Sequence, residues 1–521
     1  MDPGTPTEEA IKALSGFINT DKLLDLASRF STTYTDLART STEHFLVTPV
    51  TALPTGKEKG RFLSIDVGGT NLRVGIIELL GDVDEVADGK PGQDHSKNVF
   101  AKIKQSHDRD WPIGHHLKMD NAEDLFAWIG DCIAEVVREA VLDTTSSASP
   151  FGDEILLGVT FSFPMSQTCL SEATLLPMGK GFAITTDVNL GKMLLAGYAR
   201  HCAPAKENGH NMNTVHRPLP KVRVAAITND TVATFASLAY AVKATPNSRV
   251  AMGLIVGTGT NATVPMKLDS LHPAKRKEVP NPDAVDTVVI NTEWTIRGTD
   301  KPLVELDIKT RWDLMLDANS DAPGFQPFEY MTAGRYLGEI VRLIYLDVAP
   351  HEPETDIPCH LQDRNALPTR FLSEVVARLD MEEVTRQLQE KYPSAVSSPK
   401  TYWTSQRVQL LRDLAYAVQQ RSSALVATAC IGLLHCVGDV SLGESTSLPG
   451  EYIMEEELVI AYAGGTISQY PQWLETCQKW IDVLVTEGSR ANAGKRVVLR
   501  EALDGGILGA GVLAGVAGEI V

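Results

Sequence analysis

The sequence predicts an α/β protein of two lobes facing a common cleft. Three observations predict it. Strands and helices alternate in two successive series along the chain, the pattern of α/β architecture. A glycine–threonine turn occurs once in each series, DVGGTN from Asp66 and GTGTNA from Gly257. Finally, 521 residues exceed what a single hydrophobic core ordinarily organises.

Residues 8–45 carry helical periodicity, with Ile11, Leu14, Phe17, Ile18, Leu23, Leu24 and Leu26 on recurring faces, which predicts a helical N-terminal arm. The pattern breaks near Pro54. Phe62, Leu63, Ile65 and Val67, a two-glycine turn, then Val74, Ile76 and Ile77 predict a hairpin around Gly68-Gly69. Residues 121–142 predict an amphipathic helix capped by Asn121, and 154–163 a buried strand. The second series starts at Val222–Thr228, passes through Met252–Val256 and Thr287–Thr292, and continues into long helices from Phe328 to Leu346. Polar stretches at 82–97, 144–152, 203–219, 268–285 and 440–451 read as surface loops, the third of them as the hinge. Gly505–Val521 is Gly/Ala-rich and interrupted by Glu519, so it reads as a packed terminal helix and not as a membrane span. The expected division is a helical arm (1–59) on the large domain, a small domain (60–220), a large domain (221–506) and a C-terminal helix (507–521) returning to the small domain.

Composition narrows the function. Apolar residues make up 43% and charged residues 22%, a globular balance and not the signature of disorder. The net charge of −18 repels polyanions, which disfavours direct nucleic-acid binding. The seven cysteines are scattered, odd in number and without a C-x-x-C pair, so they read as reduced thiols. The acidic N-terminus lacks a basic start and an apolar run, which argues against secretion. A cytoplasmic protein is expected, with a nuclear pool if its role is regulatory.

A nucleotide triphosphate needs many hydrogen-bond donors in a small space, and glycine turns supply backbone N–H groups with no side chain in the way. In the run Asp66, Val67, Gly68, Gly69, Thr70, Asn71, Leu72, Arg73, the turn amides and the Thr70 hydroxyl suit phosphate, and the carboxylate suits Mg²⁺ held through water. The same run is also compatible with an ordinary β-hairpin. No GxxxxGK[ST] run is present, which excludes a P-loop.

Seven blocks in order carry a resemblance: GKEKGRFLSIDVGGTNLRV from Gly56, GVTFSFPMSQ from Gly158, LLPMGKGF from Leu175, ITNDTVAT from Ile227, GLIVGTGTNA from Gly253, NTEW from Asn291 and FEYMTAGRYLGEIVR from Phe328. Across residues 8–516 the chain resembles a hexokinase, in particular a single-length fungal-type one. The resemblance implies a two-lobed actin-like ATPase/sugar-kinase (ribonuclease H-like) fold, with hexose and MgATP as partners. By the same resemblance Asp230 is the catalytic base and Lys180 its cationic helper. Ser162, Asn229, Asn261, Glu293 and Glu329 bind sugar. The nucleotide falls to Asp66, Gly68, Gly69, Thr70, Asn71, Arg73, Thr258, Gly259, Gly464 and Gly505, with Mg²⁺ arriving on ATP. Taken singly, Asn229-Asp230-Thr231 also suits a helix cap, Glu293 a strand-end carboxylate, Glu329 a first-turn helix carboxylate, and Lys180 a solvated turn.

The chain departs from the family pattern in places. Gly179 stands where a sugar-contacting threonine is usual, and Ala233 where the family has glycine, an added methyl expected to press on the nucleotide. The family's Asp-Gly-Ser appears as Ala463-Gly464-Gly465, and its Asp-Gly-Ser-Gly-x-Gly as Asp504-Gly505-Gly506-Ile507-Leu508-Gly509. Tyr330, Thr332 and Ala333 replace Lys, Ile and Ser beside Glu329. These changes raise a second reading, a catalytically weak or inactive sugar sensor that regulates carbon-source responses through protein partners.

Overall fold

A computed structural model describes residues 5–81, 102–119, 121–143, 151, 154–163, 165–175, 182, 188–202, 219–242, 247–279, 281–350, 356–394, 400–443 and 455–520. Except for Leu219, the expected hinge lies outside them, as do Lys180 and Gly179.

The N-terminal arm is two helices. α1 (Pro6–Ser15) opens on a capping box in which Thr5 and Glu8 satisfy each other's backbone N–H, and α2 (Thr20–Thr40) on Asn19, whose side chain accepts from the Lys22 N–H. The apolar face of α2 (Leu23, Leu26, Ala27, Phe30, Tyr34) is buried in one core with the long helix Ser405–Cys436. A short strand, β1 (Leu46–Val47), then pairs with the edge of the large sheet.

The small lobe is built on a five-stranded sheet. β2 (Lys59–Val67) and β3 (Asn71–Leu80) form the expected hairpin, in register Val67 with Leu72. β4 (Ile103–Pro112) pairs antiparallel outside β3, and β5 (Glu154–Phe161) lies parallel to β2 on its other side. Helix α3 (Ala122–Leu142), capped by Asn121, covers one face together with α4 (Leu190–Ala199). A three-stranded flap, β6 (Met165–Cys169), β7 (Glu172–Leu175) and β8 (Val188–Asn189), stands beside it.

One boundary needs correction. The strand β9 (Lys221–Thr228), expected to open the large domain, is the edge strand of this small-lobe sheet, parallel to β5. The crossover into the second lobe comes after it, through α5 (Asp230–Val242).

The large lobe repeats the plan. β10 (Ser248–Val256), β11 (Thr260–Lys267) and β12 (Thr287–Asn291) form an antiparallel meander, and β13 (Glu456–Ala463) and β14 (Lys495–Glu501) extend it in parallel from β10. The segment 268–285, expected to be loop, includes short helical turns at Leu268–Ser270, Pro273–Arg276 and Pro282–Ala284. Between the sheets lies a third core, in which α5 and the C-terminal helix Gly505–Ile520 bury Val232, Phe235, Ile507 and Val512 against Ile77 and Leu79 of one sheet and Val250 and Val459 of the other. The lobes therefore meet on two crossed helices, and the N-termini of both helices open toward the cleft residues described next.

Candidate active site

The phosphate turn is shaped by its own backbone. The Gly68 N–H donates to Asn71 O (2.9 Å), and the Ile113 N–H donates to Thr70 O (2.7 Å). Neither Gly68 nor Gly69 adopts positive φ, and a Cβ on Gly68 would meet nothing closer than 3.5 Å. The fold alone does not demand glycine at 68, which is what a surface kept bare for a ligand requires. Ser162 is held at the same edge, its N–H donating to Val67 O (3.1 Å).

Asp66 ends β2 at the base of this turn. Burial pushes its carboxyl up to about 7, helped by the neighbouring charges of Asp230 and Asp504, with Arg73 opposing. Arg73 itself is already engaged: Nη1 donates to Asp504 Oδ1 (2.7 Å) and Nη2 to Asp108 Oδ2 (3.3 Å). Neither carboxylate was legible as a partner in the sequence. Asp230 stands in the first turn of α5, half-buried, accepting from the Thr231 hydroxyl at 3.3 Å. Asn229 does cap that helix, its Oδ1 accepting from the Val232 N–H (2.8 Å).

The second cluster lies at the end of the large-lobe meander. Asn291 Nδ2 donates to Glu293 Oε1 (2.7 Å), and Asn261 Nδ2 donates to Asn291 Oδ1 (2.7 Å), so Asn291 joins two expected sugar residues into one network. Sequence reasoning quoted Asn291 in a motif without giving it a role. Glu293 adopts φ 48°, a left-handed backbone that costs a non-glycine residue energy and is characteristic of functional sites. Glu329 is not merely a first-turn carboxylate, because its Oε2 accepts from the Thr260 N–H of β11 (3.3 Å). It also closes on the second glycine turn: a Cβ on Gly259 would stand 3.1 Å from Glu329 Oε2.

That turn is braced from three sides. The Gly257 carbonyl accepts from the Gly334 N–H (2.8 Å) and the Thr466 hydroxyl (3.0 Å), and Thr258 O accepts from the Arg335 N–H (3.3 Å). Gly464 packs behind it with φ 122°, where a Cβ would lie 2.4 Å from Val256 O, so glycine is obligatory there. A cavity of ≈ 410 Å³ opens between these elements, its lining including Thr258, Arg335, Asn365 and Tyr470. Gly334, Arg335 and Thr466 were missed because their part is played by backbone or by a single hydroxyl.

Gly505, the remaining residue expected at the nucleotide, begins the C-terminal helix beside Thr234 of α5. Ala233 requires a correction. It is fully buried, so its methyl is packed in the interior, and its backbone is closely approached at Gly509, where a Cβ would come within 1.9 Å of Ala233 O. Tyr330 likewise points away, its hydroxyl donating to Ala322 O (2.9 Å).

Among the described residues no group of three His, Cys, Asp or Glu side chains is arranged to hold a metal ion, and no helix is long and apolar enough to cross a membrane.

Comparison with known proteins points to one family. Two family models described as hexokinase match residues 12–240 and 251–516. Hexokinase-1 of Nicotiana tabacum is 31% identical over 474 residues, covering 90% of this chain and 82% of that protein. Hexokinase-7 of Oryza sativa subsp. japonica is 29% identical over 475 residues, covering 90% and 87%. Among solved structures, a Schistosoma mansoni hexokinase complexed with glucose aligns with a TM-score of 0.69 at 25% identity, over 98% of this chain and 99% of that one.

Proposed function

Because this chain belongs to the hexokinase family, we propose that it transfers the γ-phosphoryl group of ATP to the 6-hydroxyl of a hexose such as glucose. The observation that carries the reading is the position of Asp230. It opens the helix that joins the lobes, close enough to Asp66 at the phosphate turn to raise that carboxyl.

In this mechanism Asn261, Asn291, Glu293 and Glu329 present amides and carboxylates to the ring hydroxyls, each of which must be paired once water is expelled. Ser162 and Lys180 complete the sugar's surroundings from the small lobe. Asp230 accepts the 6-hydroxyl proton as that oxygen attacks the γ-phosphorus in line; the bond from the γ-phosphorus to the bridging oxygen breaks, and ADP departs. Thr70, the turn amides and Thr258 hold the polyphosphate. Asp66 is the carboxylate that would meet, through water, a hard divalent cation arriving with ATP. When bound, Mg²⁺ supplies charge neutralisation on the phosphate oxygens.

The sensor reading keeps one support, the replacement of the family's Asp-Gly-Ser by Ala463-Gly464-Gly465, and has lost another, since Ala233 is fully buried. All seven cysteines are free thiols, which supports a reducing, cytoplasmic setting. The test is to incubate purified protein with MgATP and glucose, fructose or mannose and locate the new phosphate by ³¹P NMR. Phosphorylation at the 6-position is expected; sugar-dependent stabilisation with no product would favour the sensor.

A further inference from the structure

Beside the phosphate turn lies a cation that neither the sequence motifs nor the family matches assign to the site. Lys118 ends a short 3₁₀ turn (His115–Lys118) that follows β4. Its Nζ donates to Gly69 O at 2.7 Å, on the tip of the turn itself. The same ammonium stands 5.2 Å from the ring centroid of Phe182, two residues along the chain from Lys180. Phe182 is buried and meets Phe163 edge-on (centroids 5.0 Å apart), and Phe163 follows Ser162.

The electrostatics around the turn make this cation matter. Arg73 is committed to Asp504 and Asp108, while Asp66 and Asp230 add negative charge at the base. Lys118 has no carboxylate partner among the described residues; its contacts there are a neutral carbonyl and an aromatic ring. A half-buried ammonium bonded to a neutral carbonyl keeps its field for an incoming anion. The cation–π contact fixes where that charge sits.

We propose that Lys118 is a positioning residue for phosphoryl transfer: it ties the phosphate turn, through Gly69 O, to the Phe182–Phe163 aromatic pair beside Ser162, and places a positive charge, paired with no carboxylate among the described residues, at the polyphosphate. This rests on the kinase reading above. It makes nucleotide binding and turn geometry depend on one side chain that touches no sugar.

The experiment compares wild type, Lys118→Met and Lys118→Arg. Lys118→Met keeps the aliphatic stem and removes the charge. It should lower kcat/KM for MgATP about 10- to 100-fold, leave the Kd for glucose within about twofold, and weaken binding of MgADP but not of adenosine. Lys118→Arg, which can still reach the carbonyl and stack on Phe182, should recover most of the loss. A Lys118→Met enzyme whose kcat/KM for MgATP stays within twofold of wild type overturns the proposal, and so does an equal loss toward glucose and MgATP, which marks a purely structural role. Should wild type show no turnover, the kinase reading fails by itself, and the MgADP titration still decides Lys118: binding weakened about tenfold in the Met variant supports the role, and equal binding, or none in wild type, overturns it.

Discussion

A Cβ placed on Gly506 would lie 2.2 Å from Asp66 Oδ2. The start of the C-terminal helix thus presses directly on the carboxylate at the base of the phosphate turn. Its docking is fixed by two further bonds, from Thr160 Oγ1 to Gly506 O (2.8 Å) and from Ser64 Oγ to Ile507 O (2.5 Å). Absence of a side chain at 506 is what allows this approach.

Gly506→Ala should therefore disturb both packing and chemistry. Forcing a methyl into a closed contact typically costs about 1–3 kcal/mol, and here the displaced group is Asp66. We expect a lower melting temperature together with a loss of kcat of at least about tenfold. Thermal unfolding and steady-state assays on the same preparation check it; an active, unshifted variant would show that Asp66 yields freely.

Asp66 also makes a pH prediction. Its carboxyl sits at about 7 in the folded chain, against about 3.9 when unfolded. Between those values the folded state holds a proton that the unfolded state has lost, so this group's contribution to stability falls as pH rises from about 4 to about 7 and stays low above. Asp66→Asn is neutral at every pH. It should melt above wild type at pH 8, by a margin worth roughly 1–3 kcal/mol after allowing for the residue's partial exposure to the cleft, and the margin should close toward pH 4. A margin constant over that range contradicts the assignment.

Asn291, which the motifs did not single out, bonds two residues of the proposed sugar site. Replacing it with alanine removes the amide that bonds both Asn261 and Glu293, leaving their direct contact at 3.5 Å, and losing a hydrogen bond to a charged group costs about 1.5–3 kcal/mol. Asn291→Ala should raise the KM for glucose about 5- to 100-fold while changing the KM for MgATP little, read from initial rates with each substrate varied in turn.

Local signals were legible where the chemistry is local. The β2–β3 hairpin, the Asn121 cap and the terminal helix each rest on residues close together in sequence, and each was readable from periodicity and turn chemistry. Sheet membership was not: Lys221–Thr228 has the same buried character whichever sheet receives it, and only the parallel pairing with β5 decides. Ala233 looked like an obstruction because its burial, and the close approach of Gly509 to its backbone, depend on a helix far along the chain and show only when the helices cross. Lys118 was illegible for a similar reason, since a lone lysine near a strand end is ordinarily solvated and Gly69 is 49 residues away. Asn229, Asp230, Glu293 and Glu329 stand out in the sequence only through motif resemblance, whereas Asn291 lacked any sign of its own, because it joins two others.

The most direct test of the account is Asp230→Ala, assayed for glucose phosphorylation under saturating MgATP and titrated with glucose. Loss of a general base is expected to reduce kcat about 10²- to 10⁴-fold, while glucose affinity stays within about threefold because the Asn261–Asn291–Glu293 network is untouched. Turnover within tenfold of wild type would contradict the assignment of Asp230 as the base and, with it, the mechanism proposed for this cleft.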